Sequence, residues 1–544
     1  MFIVTGSVGT IFGETGSHEF RFAVTDQTGV KRTDYVKVWH PTDGWVLGQV
    51  MSMTRSSDSH AADGAAGAGG KGIFRPQDKI VARATVIGVR DPQGLLRTPK
   101  TPFCPGDRVF PADSELMVAT LGLTQGGAYL GVLEGTDLPV MVDRNKLVQK
   151  HMSILAMTGS GKSYTAAVIM EEMMEKDVPL LIIDPHGEYS TLKYPNDDGD
   201  IEELSNRFDV DPRGYEDVTI YTPANLKTCE YADKVLRLNG RNLKPGEIIQ
   251  YAPGELNNSE IGLVYEAVNQ LMDDRRNFTI KEYSIKDVLM EIQSSRSNQK
   301  WAVINKLEPL INAEFLSDRP TPVQELFTKG RASVVDMKGV NPDVQQIIIA
   351  RLLSQLFEAR KAGAVPPGLV VVEEAHLFCP ERGFLKTTSG EVLRTIASEG
   401  RKFGLGLMIV SQRPAKVDKN VLSQCSTQII MRVTNPNDLK AITKSLEGIS
   451  SELEEEIKRL PPGVALFVSP DIPRPIMVQV RVRRSKHGGT STEISDESED
   501  DAAEPIIEEE AEEEIKEETE TRSAEPVEKK VPVGSLFNRI FGRR

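Results

Sequence analysis

Cysteine is scarce in this chain. Four occur in 544 residues, at Cys104, Cys229, Cys379 and Cys425, and no pair has the C-x-x-C spacing. That count and spacing exclude a disulfide scaffold and a thiolate zinc finger. Long apolar runs are missing too. The longest, such as Val178–Ile183 and Gly368–Val372, fall far short of the ~18 residues a spanning helix needs. No secretory pattern opens the sequence, so reduced thiols in a cytoplasmic protein with no membrane partner are expected. A basic excess is also absent: 65 Lys and Arg stand against 79 Asp and Glu, a net charge of −14. Taken whole, that balance argues against a nucleic-acid partner.

The charge is not evenly spread. Residues 491–530 hold 18 Asp or Glu and 4 Lys or Arg, a segment charge of −14. Arg539, Arg543 and Arg544 add three positive charges after it, which leaves residues 1–490 at only −3. The acidity belongs to a tail, and the body keeps the freedom to gather cations on one surface. Residues 485–530 are rich in Gly, Ser, Thr and Glu and cannot bury enough apolar area to offset ordering entropy, so disorder is expected. The closing stretch differs. Leu536, Phe537, Ile540 and Phe541 share one face of a short helix, either as a hook held out by an acidic tether or as the end of a plain solubilising tail.

The body reads as two parts. Residues 1–150 carry short β signals at Phe20–Thr25, Tyr35–His40, Ile80–Val89, Arg108–Pro111 and Tyr129–Val132, which predicts a small N-terminal β-barrel or sandwich. The Ala/Gly/Ser-rich stretch Ser56–Gly72 interrupts them and reads as a surface loop. Residues 151–484 alternate apolar strands with helices, which predicts an α/β domain on a mainly parallel sheet. Its strands are expected at Ser153–Met157, Leu180–Ile183, Val218–Tyr221, Ala332–Val335, Leu369–Val372, Leu407–Val410 and Gln428–Val433. A helical insertion is expected at about 238–330, with helices near Ile261–Leu271 and Ile285–Ser294.

Thr158, Gly159, Ser160, Gly161, Lys162 and Ser163 lie between an apolar strand and the helical run Tyr164–Glu175. A loop in that place aims its N–H groups at one point, at the positive end of the helix dipole. Gly159 and Gly161 allow close approach to phosphate oxygens, Lys162 can neutralise them, and Ser163 can hold Mg²⁺. Ala156 stands where such loops usually carry their first Gly. Ala costs little there if φ is negative.

Four other segments end apolar strands or the helix before one. Glu373 and Glu374 follow Leu369–Val372; Glu373 suits Mg²⁺ and Glu374 suits a general base within one water of a γ-phosphate. Asp184 and Glu188 follow Leu180–Ile183, where ligands bind in open α/β sheets. Gln412 follows Leu407–Ser411 and is placed to sense a γ-phosphate. Arg401, near the end of a helix, is a candidate arginine finger. Solvated glutamates, a helix cap, a surface glutamine and a favourable helix-end cation are the plain alternatives.

In this order, T-G-S-G-K-S, D-P-H-G-E-Y, V-V-E-E-A-H, G-R-K-F-G and S-Q-R-P resemble the HerA family of DNA translocases, itself similar to FtsK and the conjugative coupling ATPases. The resemblance covers roughly 1–485. It implies a P-loop (RecA-like) ATPase domain behind a HAS-type barrel, with ATP and Mg²⁺ as cofactors. It implies a homohexameric ring that moves double-stranded DNA through its channel and acts with a NurA-type nuclease, and with the Mre–Rad end-processing complex, in resection and double-strand break repair. By the resemblance Arg401 acts across a subunit interface, Lys150 matches a basic position that touches nucleotide, Tyr164 lies in the ATP site, and Ile476–Val480 with Arg481, Arg483 and Arg484 reaches a neighbour and closes the adenine pocket.

Channel loops need cations that meet phosphate without reading sequence. Arg382 and Lys386 after the carboxylate strand, and Lys416 and Lys419 after Gln412, are the DNA-binding candidates. A second reading is a non-motor ring that uses ATP only to assemble, clamps DNA and regulates a partner nuclease.

Overall fold

The computed structural model describes residues 6–488 except 26–28, 57–78, 125, 224–228, 253–255, 312–314, 383–386 and 447–450. Lys386, nearly all of the Ser56–Gly72 stretch, the acidic segment and Leu536–Phe541 lie outside the described residues.

The N-terminal strands are Gly9–Ile11 (β1), Glu19–Val24 (β2), Tyr35–His40 (β3), Gly44–Ser56 (β4), Lys79–Arg90 (β5), Leu96–Arg97 (β6) and Arg108–Pro111 (β7). They run in the order β2-β1-β7-β3-β4-β5-β6, and a β2–β5 pairing closes six of them into a barrel. β2 alternates between exposed and buried positions, which places Phe20 and Phe22 in the barrel core. β4 escapes the sequence reading because its 13 residues do not alternate: three consecutive positions, Val46, Leu47 and Gly48, are buried, and two register shifts interrupt its pairing with β5.

The larger sheet is built from Ala128–Leu133 (β8), Pro139–Val142 (β9), Met152–Leu155 (β10), Leu180–Asp184 (β11), Val218–Thr222 (β12), Lys234–Val235 (β13), Ala332–Asp336 (β16), Gly368–Val372 (β17), Leu405–Ser411 (β18), Thr427–Ile430 (β19), Val464–Val468 (β20) and Ile476–Val480 (β21). A separate pair, Leu238–Asn239 (β14) and Leu316–Ser317 (β15), brackets the helical segments of the insertion. The order of the large sheet is β13-β12-β16-β11-β17-β18-β10-β19-β20-β21-β8-β9. Strands β13 to β19 are parallel, and β20, β21, β8 and β9 join antiparallel. Every residue of β10, β11, β16, β17 and β18 is buried, as expected of strands covered on both faces.

Tyr129–Val132 therefore differs from expectation. It belongs to β8, which pairs with β21 at the edge of the large sheet and not with the barrel. Alternation alone cannot tell which sheet a strand will join.

Order also runs past 484. Ser485 is fully buried, donates from its N–H and hydroxyl to Glu171, and bridges Pro195. Lys486 pairs with Asp197.

Candidate active site

β10, β17, β18 and β11 end on one edge of the sheet. The register pairs Leu155 with Ser411, Val372 with Ile409 and Ile183 with Val372, so the loops that follow these strands emerge together. Between β10 and helix α1 (Lys162–Met174) the chain makes its tight loop. Gly159 has φ +76° and Gly161, the residue before α1, has φ +99°, conformations that L side chains resist. Ala156 is buried and is not among the residues with positive φ, so its methyl costs nothing. The loop is braced from within: Ser160 Oγ donates to the Met157 carbonyl at 2.6 Å, and Met157 N–H donates to the Arg432 carbonyl at 2.9 Å.

Lys162 rises from this loop into a buried pocket. Its Nζ forms an ion pair with Glu373 and lies 3.2 Å from Glu374 Oε1. Tyr189 OH donates to Glu373 Oε2 at 2.5 Å. Glu374 takes an unusual backbone, φ +47° and ψ +47°, at the turn from β17 into the short helix Ala375–Phe378. That strained turn aims its carboxyl back at Lys162. Burial opposes its charge, but His376 and Lys162 outweigh the burial and hold the carboxyl below the usual range. Asp184 is fully buried. Burial pushes it up to about 7, against N–H donors such as Gly187 at 2.8 Å and Tyr189 at 2.9 Å that pull it down. Gln412, the first residue after β18, accepts a hydrogen bond from Thr158 Oγ1.

The structure thus brings Thr158, Gly159, Ser160, Gly161, Lys162, Ser163, Asp184, Glu188, Glu373, Glu374 and Gln412 to one edge. Two carboxylate atoms there are buried and keep open acceptor capacity: Glu188 Oε2 makes no hydrogen bond, and Glu374 Oε2 has only His376 Nδ1 beside it, at 3.1 Å. Such acceptors beside a Lys, a Ser and a second carboxylate suit Mg²⁺ with its shell of water, and the glycine loop at the start of α1 suits a triphosphate.

Two candidates lie elsewhere. Lys150 precedes β10, so it sits on the opposite edge, where its Nζ reaches Asp471 Oδ1 at 3.3 Å. Arg401 is exposed in the last turn of helix α2 (Thr388–Phe403), just before β18, and shares that far edge. Neither can touch the phosphate loop of its own chain.

Arg481 and Arg483 also differ from expectation. Both are buried and face inward. Arg481 donates to Glu171 Oε2 at 2.9 Å and Glu172 Oε1 at 3.0 Å on α1, and the Arg483 N–H donates to Tyr164 OH at 2.9 Å. They pin the segment after β21 to the phosphate-loop helix and are not offered to a neighbour. Tyr164 accordingly lies at this seam.

Sequence reasoning passed over Tyr189 and His376, although both stand inside quoted motifs, Asp184–Tyr189 and Val371–His376. Their signal is a polar ring within five residues of a strand-end acid.

The geometry matches what the comparisons find. A family model described as the helicase HerA central domain matches residues 128–356, and a HAS barrel model matches residues 8–91. The chain is similar to the HerA family over both regions. A probable DNA double-strand break repair helicase HerA of Methanocaldococcus jannaschii is 28% identical over 78% of this chain and 90% of its own length. The DNA double-strand break repair helicase HerA of Sulfurisphaera tokodaii is 29% identical over 74% of this chain and 79% of its own. Among solved structures, VirB4 of Thermoanaerobacter pseudethanolicus aligns with a TM-score of 0.47 at 15% identity, over 66% of this chain and 97% of that one. The chain is an ATP-hydrolysing enzyme of the helicase and translocase class. Among the described residues no helix is long and apolar enough to cross a membrane.

Proposed function

We propose that the chain is one subunit of a homohexameric ring that hydrolyses ATP to move double-stranded DNA, working with a NurA-type nuclease and the Mre–Rad complex in resecting DNA ends. The observation that carries this reading is the division of the site between two edges. The phosphate loop, Glu373 and Glu374 stand on one edge, and the exposed Arg401 stands on the other. A subunit whose finger cannot reach its own nucleotide is built for a neighbour, and a closed ring is how identical subunits satisfy that need.

In the proposed mechanism Lys162 and the N–H groups of 158–163 hold the phosphates. Ser163 and Glu373 would hold Mg²⁺, which would supply charge neutralisation for the phosphates. Glu374 orients the attacking water and takes its proton, while Gln412 contacts the γ-phosphate. Asp184 shapes the Asp184–Tyr189 loop that places Tyr189 on Glu373. Arg401, with Lys150 beside it on the far edge, faces the neighbouring subunit's nucleotide. Arg382, Lys386, Lys416 and Lys419 meet DNA phosphates.

The ATPase rate with and without linear duplex DNA, across salt, tests the claim; a rate indifferent to DNA sinks it. Mixing Lys162→Ala subunits with Arg401→Ala subunits tests the interface. Each variant alone is expected to be inactive, and the mixture should recover turnover because some interfaces then pair an intact loop with an intact finger. The clamp reading separates at Glu374→Gln, which should keep ring assembly and nucleotide binding but abolish end processing if the ring is a motor.

A further inference from the structure

Five cations line one open groove of about 350 Å³ on the phosphate edge: Arg413, Lys416 and Lys419 from the loop after β18, and Lys440 and Lys444 from the helix Pro436–Ser445. The acid in the groove wall is already committed. Asp438 is buried, and its Oδ1 accepts the Ala415 N–H at 2.9 Å, which clamps the loop to the helix. Lys419 pairs with Glu381 at 2.7 Å. The other four cations are exposed and make no ion pair among the described residues. Lys440 and Lys444 are four residues apart, so their like charges face each other on one helical face, an arrangement that disfavours the helix unless an anion lies between them. Long, mobile ammonium groups along an open groove, with no buried donor to select one ligand, suit a chain of phosphates better than a single small anion.

The groove is joined to the catalytic carboxylate. Arg413 N–H donates to Ser411 Oγ at 3.0 Å. Ser411 Oγ lies 3.3 Å from His376 Nδ1, and that same nitrogen lies 3.1 Å from Glu374 Oε2. Gln412, between Ser411 and Arg413, holds Thr158 of the phosphate loop. A displacement of the Arg413–Lys419 loop therefore reaches both the water-activating carboxylate and the γ-phosphate sensor within one side chain.

We propose that this groove seats the sugar–phosphate backbone of a nucleic acid and that Ser411 and His376 carry its occupancy to Glu374, His376 serving as a positioning residue. The inference deepens the translocase reading and rests on it for the identity of the nucleic acid.

The test uses the full-length ring and labelled duplex, single-stranded DNA and polyglutamate. In Lys440→Gln/Lys444→Gln, duplex affinity should fall, and the slope of log affinity against log salt should flatten by about 2 for each subunit whose groove is occupied, roughly 0.9 for each lost phosphate contact. Duplex binding by this variant with unchanged affinity and slope overturns the groove. Groove-dependent binding of single strands alone upholds the groove and defeats the duplex reading. If only polyglutamate binds, the occupant is an acidic peptide and the inference falls. For the relay, His376→Ala should bind duplex and nucleotide as the parent does, while the ratio of DNA-stimulated to basal ATPase collapses toward 1. His376→Gln, which keeps a donor near Glu374, should restore part of that ratio. Stimulation preserved in His376→Ala overturns the relay.

Discussion

Helix α1 carries two buried charge clusters that solve the same electrostatic problem in opposite ways. At its start, Lys162 meets Glu373 and Glu374, two carboxylates against one cation, and Glu374 Oε2 has only the His376 ring nitrogen beside it. Nearer its end, Glu171 and Glu172 meet Arg481, and every donor and acceptor is used. Arg481 also donates to the carbonyl of Tyr129, while Glu171 accepts from Arg484 and Ser485, and Glu172 accepts from Tyr129 and Arg144. A buried charge is tolerable only when its partners are complete. The second cluster is complete because its work is to hold the C-terminal strand against α1. The first is incomplete, which under the proposed mechanism leaves room for a metal ion and a water.

The largest expected effects lie in exchanging these roles. Glu374→Gln should lower ATP turnover by about a hundredfold or more and lower urea stability only slightly near neutral pH, since His376 and Lys162 favour its charged form against the cost of burial. Arg481→Met should do the reverse: a loss of about 3–5 kcal/mol in chemical denaturation, because Glu171 and Glu172 lose the buried guanidinium they share and keep only Arg144 and the more distant Arg483. Replacing all three residues by apolar ones of similar volume should recover most of that loss. If Arg481→Met instead proves as stable as the parent, the contrast between the two clusters collapses.

The sequence makes one cluster visible and hides the other. Gly159, Gly161, Lys162 and the strand-end pair Glu373–Glu374 are legible because strand, turn and helix signals frame them within a few residues. The Arg481 cluster joins residues about 310 positions apart, and nothing local marks an Arg as buried. It reads as a surface cation in a basic run. The same limit explains Lys150. Its place before a strand is plain from the sequence, but only the parallel register shows that this puts it across the sheet from the loop. The central strands were found because burial on both faces leaves unbroken apolar runs. β8 was assigned to the wrong neighbours because pairing is set by tertiary contact.

A smaller effect tests the unfinished cluster from its rim. Asp184 is shifted up to about 7 in the fold from an ordinary 3.8. Between those values the native state holds a proton that the unfolded chain has lost, so this group's contribution is full below pH 3.8 and disappears as pH rises through about 7. Asp184→Asn should remove that slope, gaining stability relative to the parent above pH 7 and none at pH 4. A stability difference that does not vary with pH would show that the carboxylate is already ionised, as in the completed cluster.

The smallest expected change concerns Ala156, the residue where such loops usually carry glycine. It is packed beneath the loop in the core shared with Ile154 and Ala166, at a negative φ. Ala156→Gly adds nothing the backbone needs there. It removes a buried methyl and loosens the unfolded chain, so the loss should be about 0.5–1 kcal/mol with ATP affinity unchanged. The phosphate loop then has its conformational need met at Gly159 and Gly161 alone. A gain in stability or in nucleotide affinity on restoring the glycine would mean that Ala156 strains the loop, and that the incompleteness of the first cluster extends to its backbone.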